Sequence, residues 1–371
     1  MNYRSLKENA LRYLVSMRKG DGGEFKFSED NPPTLIASGV AGMFGGFLGY
    51  IPTCDEKKRR AWAEYIKSFQ NEEGWFEDAD IDDQHRLAWY GRDRALFHRT
   101  RHALCALDAL GDRPRRRLKM TEQWLGAGRM RTWLDTLDLS DYWYASNMMM
   151  DVFLLLAHEH RFHQTRGVAD ALGELLDFCD ENTDPKTGYH DRGRSDVRNA
   201  MAGAMHLYPV YFLCNRTPLY PEAVVETTLG LQQEDGLFGY ETGTGGEDCL
   251  DYDGILILAN FSFLAPRSRE RIKQSLDKCQ RAIMVCANND GGFSPHRRNE
   301  TYNFGTNLTL VEPGKSSLWA TYGRLLAIAL AGKVLDPSDD TFVPGNHMME
   351  VWDGGRGTTQ KYFNLGRHPT S

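Results

Sequence analysis

Several kinds of protein are excluded by what this 371-residue sequence lacks. Its seven cysteines, at positions 54, 105, 179, 214, 249, 279 and 286, are odd in number and form no Cys-x-x-Cys pair. That argues against a disulfide framework and fits thiols packed as small hydrophobes in a reducing cytoplasm. Positive charge is not in excess: Lys and Arg number 44 against 51 Asp and Glu, a net charge of −7, so no nucleic-acid footprint is expected. The basic run from Arg113 to Arg117 reads as a solvated loop between helices. No apolar stretch reaches the roughly 20 residues of a membrane span. The N-terminal MNYRSLKENALRYLVSM carries charges throughout, without the apolar core and cleavage site of a secretory signal. The glycines of ETGTGGEDC have neither a preceding strand nor a following Lys-Ser/Thr, so they make no phosphate loop. No serine nucleophile elbow is present.

What the sequence does contain is repetition. Hydrophobic residues make up 41% and aromatics 11%, enough for a substantial core. Acidic or amide residues precede Gly and an aromatic or aliphatic residue in KGDGGEFKF, FQNEEGWFED, NTDPKTGYHD, LQQEDGLFGY and ANNDGGFSPH, with a degenerate copy in TEQWLGAGRM. The glycines at 23, 74, 128, 188, 236 and 292 fall 48 to 60 residues apart. Such a period marks a repeat architecture.

Each unit has one grammar. An amphipathic helix leads into the turn, and a greasier helix follows it: PTLIASGVAGMFGGFLGY, FHRTRHALCALDALG, SNMMMDVFLLLAHEH, DVRNAMAGAMHLYPVYFL, LDYDGILILANFSF and SSLWATYGRLLAIALAG. A helix apolar nearly all round is buried, and its amphipathic partner faces water. Six outer–inner pairs closing on themselves predict an all-α (α/α)6 toroid over residues 1–335, with little or no sheet. A linear helical solenoid is the structural alternative. The turn glycines supply the tight or left-handed backbone of each reversal. Residues 336–371, rich in Pro and Gly, are expected to form an extension packed on the toroid, as a surface strap or a lid.

These turns resemble the repeats of the terpenoid cyclase and protein prenyltransferase superfamily. Gln70 to Trp75 and Gln232 to Phe238 match its Gln–aromatic turn best, and Asn288 to Phe293 matches in part. The resemblance covers most of residues 15 to 335 and implies a ring whose inner-helix N-termini converge on a central cavity. Carbohydrate-active enzymes use the same architecture, so the fold alone does not name a reaction.

The stretch GGEDCLDYDGILIL opens the fifth inner helix with Glu247, Asp248, Asp251 and Asp253. One acid at a helix start is a cap; four exceed that need. Two chemistries follow from the resemblance. Zinc prenyltransferases hold their metal with Asp, Cys and a following His. Here Asp248 and Cys249 are adjacent and the last inner helix offers Trp319 and Tyr322 instead of His, so zinc is not expected. Acid-initiated (class II) terpene cyclases carry Asp-x-Asp-Asp; DYDG matches its first two acids and replaces the last with Gly254. By this resemblance Asp253 is the proton donor and Asp251 its partner. Crowded carboxylates against an apolar wall cannot all ionise, which keeps one protonated near neutrality.

The other helix mouths offer His98, Arg101 and His102; Trp143 and Tyr144; Arg198 and His206; and Trp319, Tyr322 and Arg324 as substrate-binding groups alongside Asp248 and Glu247. Individually, an Arg or His here can be a structural ion pair, and Trp319 and Tyr322 can be core. Together they predict a small-molecule cavity mixing acids, cations and rings. The expected function is an enzyme performing acid–base chemistry on an isoprenoid-like substrate with Asp251 and Asp253. It needs no cofactor, and Mg²⁺ only if the substrate is a diphosphate. The alternatives are a hydrolase, lyase or epimerase acting on an acidic or phosphorylated sugar, with Asp141 or Asp196 as a second carboxylate, and a non-catalytic binding toroid.

Overall fold

The structure is a computed structural model that describes residues 1–78, 84–342, 363 and 365, with backbone only for 84–90. Alternation of amphipathic and greasy segments gives twelve α-helices among the described residues, in two concentric sets. The outer helices are α1 (Tyr3–Ser16), α3 (Glu56–Lys67), α5 (Arg129–Leu134), α7 (Val168–Glu181), α9 (Pro221–Leu231) and α11 (Arg269–Ile283). The inner ones are α2 (Leu35–Phe47), α4 (Gln84–Ala109), α6 (Tyr142–His163), α8 (Val197–Leu213), α10 (Asp248–Phe261) and α12 (Leu318–Leu335). Each inner helix packs on the next and α12 returns to α2, which closes the ring and sets aside the linear solenoid. The sheet is as small as expected: Tyr302–Asn303 pairs antiparallel with Leu310–Val311. Of the described helices α12 alone is long and apolar enough to cross a membrane, and 89% of it is buried in the ring wall.

Local chemistry explains the recurring turn. Gln70 Nε2 donates to the carbonyls of Gly74, at 3.3 Å, and of Arg116, at 2.9 Å. Gln232 Nε2 repeats the pattern on Gly236, at 2.8 Å, and on Ser275, at 3.0 Å. Each Gln therefore fastens its own turn to the following outer segment. The glycine must stay bare: Gly74 has φ +99°, and a Cβ there would lie 2.5 Å from the Arg117 carbonyl oxygen. After the turn, the backbone N–H of its aromatic residue is held by the next inner helix. Phe25 donates to Ser38 Oγ, Phe76 to Thr100 Oγ1 and Phe293 to Thr321 Oγ1, at 2.9–3.1 Å.

Three expectations need correction. Gly128 is not the turn of the third unit: it precedes α5, with φ +71°, and the outer element there is broken into a 3₁₀ turn (Lys119–Trp124) and the six-residue α5. In the last unit Gly291 has the positive φ, and Gly292 is kept bare by Ser316, whose Cβ would be 2.7 Å from an added methyl. The second inner helix begins before Phe97, at Gln84, and breaks at Gly91, whose φ of 67° is non-helical. Most of the 336–371 extension and its expected role as a lid lie outside the described residues. Its described part packs Phe342 on Phe47, with ring centroids 5.1 Å apart, and hydrogen-bonds Phe363 and Leu365 to the end of α8.

Candidate active site

The N-termini of the inner helices open on a cavity of about 410 Å³. Asp141 caps α6 by accepting from Tyr144 N, and Asp196 caps α8 by accepting from Arg198 N and Asn199 N. Helix α10 departs from this pattern. Glu247 stands at its cap position without a capping bond and pairs with Arg298 at 3.0 Å, so the capping role expected of one acid in the cluster is not filled. The acids are instead carried into the interior: Asp248, Asp251 and Asp253 are all buried.

Their surroundings differ. Asp251 accepts from Phe238 N at 2.7 Å, the position held by Ser38, Thr100 and Thr321 in other repeats, and pairs with Arg324 at 3.1 Å. Arg324 also donates to the carbonyls of Ser294, Gly245 and Pro295. Burial pushes the Asp251 carboxyl up and Arg324 offsets this only in part, leaving it raised to about 7. Neither residue lines the cavity. Asp251, expected as the partner of Asp253, and Arg324, expected to bind substrate, form a buried ion pair set back from the cavity.

Asp253 lines the cavity, and among the described residues its Oδ2 has no hydrogen-bond partner. Burial, then the neighbouring Asp248 and Asp251, push its pKa well above the ordinary carboxylate range. Both causes disfavour its charged form. Asp248 also lines the cavity. It accepts from Cys249 N at 2.9 Å, and burial, opposed by Arg324, raises it to about 6. Gly254 has a steric cause: a Cβ there would lie 2.7–2.8 Å from three atoms of the Phe238 ring, so the space of a third acid is filled by an aromatic.

The remaining expected residues divide. His98, Arg101, Trp143, Tyr144, His206, Glu247 and Trp319 line the cavity. Arg101 Nε sits 2.8 Å from the buried Asp151, and its Nη2 donates to His98 Nδ1 at 2.9 Å. Trp319 Nε1 donates to Cys249 Sγ at 3.3 Å, and burial with two acid neighbours keeps that thiol protonated. Among the described residues no three His, Cys, Asp or Glu side chains form a metal-ligand set. His102, Arg198 and Tyr322 do not line the cavity. His102 Nδ1 bonds the His98 carbonyl one turn back. Arg198 reaches outward to the carbonyls of Leu231 and Phe238. Tyr322 is buried against Phe44 and Phe47. Of the proposed second carboxylates, Asp141 lines the cavity and Asp196 does not.

Sequence reasoning missed the lip. The loop between α11 and α12 brings Arg298, Tyr302 and Phe304 over the cavity, with Phe304 5.1 Å from the Trp319 ring and stacked on Phe27 at 4.9 Å. Arg94 and Tyr252 were also missed. Tyr252 sits inside the acidic stretch itself, between the two acids of DYDG, where only the helix phase tells a wall residue from a core one.

Geometry therefore defines a closed double ring of helices with a buried acid facing a central cavity lined by rings and polar side chains. The chain belongs to the prenyltransferase alpha-alpha toroid domain family, whose model matches residues 6–127 and 141–304. The gap between the two matched segments falls on the broken third outer element. No curated protein sequence matches the chain. Among solved structures it is similar to the type II terpene cyclase MstE from Scytonema in complex with geranylgeranyl dihydroxybenzoate, with a TM-score of 0.53 and 11% identity over 90% of this chain and 99% of that one. It is also similar to the GH76A alpha-1,6-mannanase from Salegentibacter, with a TM-score of 0.51 and 12% identity over 90% and 100%. At these identities both comparisons speak to the fold.

Proposed function

We propose that this protein is an enzyme of acid-initiated cyclisation, in which Asp253 protonates an alkene of an isoprenoid-like substrate. The observation that carries this reading is Asp253 itself: a buried carboxyl facing a cavity, with an unpartnered Oδ2 and acids rather than bases as neighbours. In the proposed step the Asp253 O–H bond breaks and a C–H bond forms at the alkene. The carbocation left behind is attacked by further alkenes of the same chain, and loss of a proton ends the sequence. Product and substrate are isomers. Trp143, Tyr144, Tyr252, Phe304 and Trp319 supply ring faces that stabilise positive charge. The proton provides the initiating charge, so the reaction calls for no cofactor; a diphosphate-bearing substrate would bring Mg²⁺ with it.

A second reading has its own support. Arg94, His98, Arg101, Asn147 and Asn199 make one part of the cavity polar, and Asp141 and Asp248 share it. Those groups suit a sugar, with Asp253 again as general acid. The discriminating experiment incubates purified protein with geranylgeranyl-substituted aromatic acids, geranylgeranyl diphosphate and acidic oligosaccharides, and weighs the products. An isomer of the isoprenoid, absent with Asp253→Asn, supports the cyclase. Cleaved oligosaccharide moves the assignment to the sugar enzyme.

A further inference from the structure

We infer that His206 is the base that ends the reaction, holding the lone pair of Nε2 toward the cavity into which Asp253 delivers the first proton; the step rests on the cyclase reading above. His206 lies on α8, which packs directly against the α10 that carries Asp253, and both side chains line the cavity. Its hydrogen-bond partner among the described residues is Ser146, whose Oγ is 3.0 Å from His206 Nδ1. The Ser146 hydroxyl also lies 3.1 Å from the Trp143 carbonyl, which can only accept. We assign its one proton to that carbonyl, so that the hydroxyl accepts from His206 Nδ1 and Nε2 is left with its lone pair.

Charge keeps the ring in this state. Burial, and then the guanidiniums of Arg101 and Arg94, hold His206 well below the usual histidine range. It is a weak base, and a weak base suffices: a C–H beside a carbocation is a far stronger acid than an imidazolium. Burial disfavours the charged form of both groups, raising Asp253 and lowering His206, which favours a neutral acid beside a neutral base. In the closing step the C–H bond next to the last cationic carbon breaks and its electron pair becomes a C=C bond. The proton passes to Nε2 and from there to solvent, and solvent reprotonates Asp253.

The test uses the full chain with geranylgeranyl-substituted aromatic acid and geranylgeranyl diphosphate as probes. His206→Gln keeps Asp253 and is expected to lose yield of the wild-type alkene. Its product shifts from one alkene to regioisomeric alkenes and to species heavier by one water, as the stranded cation finds other exits. A product profile identical to wild type overturns the assignment. Nitrogen-15 spectra of histidine-labelled protein provide a readout independent of turnover. The signal missing from His206→Gln is expected as a neutral ring protonated at Nδ1 from about pH 5 to 8, and Ser146→Ala mixes its tautomers. An Nε2–H tautomer or an imidazolium at neutral pH overturns the assignment. A wild type that forms no isomer from either probe overturns the cyclase reading and with it this step, a result the wild-type control separates from failure of the base alone.

Discussion

Three aspartates within one and a half turns of α10 meet three different fates. Asp251 is clamped by Arg324 and by the Phe238 N–H, Asp248 is half satisfied by the Cys249 N–H, and Asp253 Oδ2 has no hydrogen-bond partner among the described residues. Their stability effects should therefore differ in sign. An unfolded Asp titrates near 3.9, and folded Asp253 titrates well above that. Between those values the folded chain holds an extra proton, so this residue's contribution is favourable in acid and is lost as pH rises. Asp253→Asn is expected to raise Tm by a few degrees between about pH 7 and 8, with the difference vanishing near pH 4. A lower Tm at every pH would mean the carboxylate is structural. Asp251→Asn leaves the buried Arg324 its three carbonyls but no counter-charge and should cost about 3–5 kcal/mol in urea unfolding; a neutral outcome would contradict the clamp. The sequence did contain a clue to this difference. Ser38, Thr100 and Thr321 occupy the repeat position of Asp251, so comparing repeats would have marked it as a turn anchor. For Tyr322, Arg198 and His102 no such clue exists. Residues at one helix mouth share a sequence neighbourhood, and the direction of each side chain is set by packing.

At the level of elements, the ring was legible because its two helix types differ in apolar periodicity and its turns repeat a Gln and a Gly with defined physical jobs. The third unit was obscured because Gly128 starts an outer helix instead of closing a turn. The lip was illegible because the loop after α11 has no periodicity to betray that it folds over the cavity. Two predictions belong here. Gly254→Asp, which restores the missing acid on paper, drives a Cβ into the Phe238 ring. It should lower stability by about 1–3 kcal/mol from overpacking alone, read by thermal unfolding, and bring no gain in turnover. A stable, more active variant would show that the glycine is not sterically required. Phe304→Ala, by opening the wall beside Trp319, should leave the fold intact and broaden the products; an unchanged product profile would remove the lip from the site.

The whole molecule is a ring scaffold with a central cavity, a fold similar to those of both a terpene cyclase and a mannanase. What distinguishes the chemistry is how many protons enter and leave. With Asp253 as acid and His206 as base, activity should hold through mildly acidic pH and be lost as pH rises through the folded pKa of Asp253, the sign opposite to that of a carboxylate nucleophile. The most direct measurement of the central claim is turnover of an isoprenoid probe in D₂O followed by mass spectrometry. The account predicts a cyclic isomer carrying one solvent-derived deuterium at the carbon first protonated, and no such product with Asp253→Asn. An isomer without deuterium, or the same labelled product from Asp253→Asn, would contradict it.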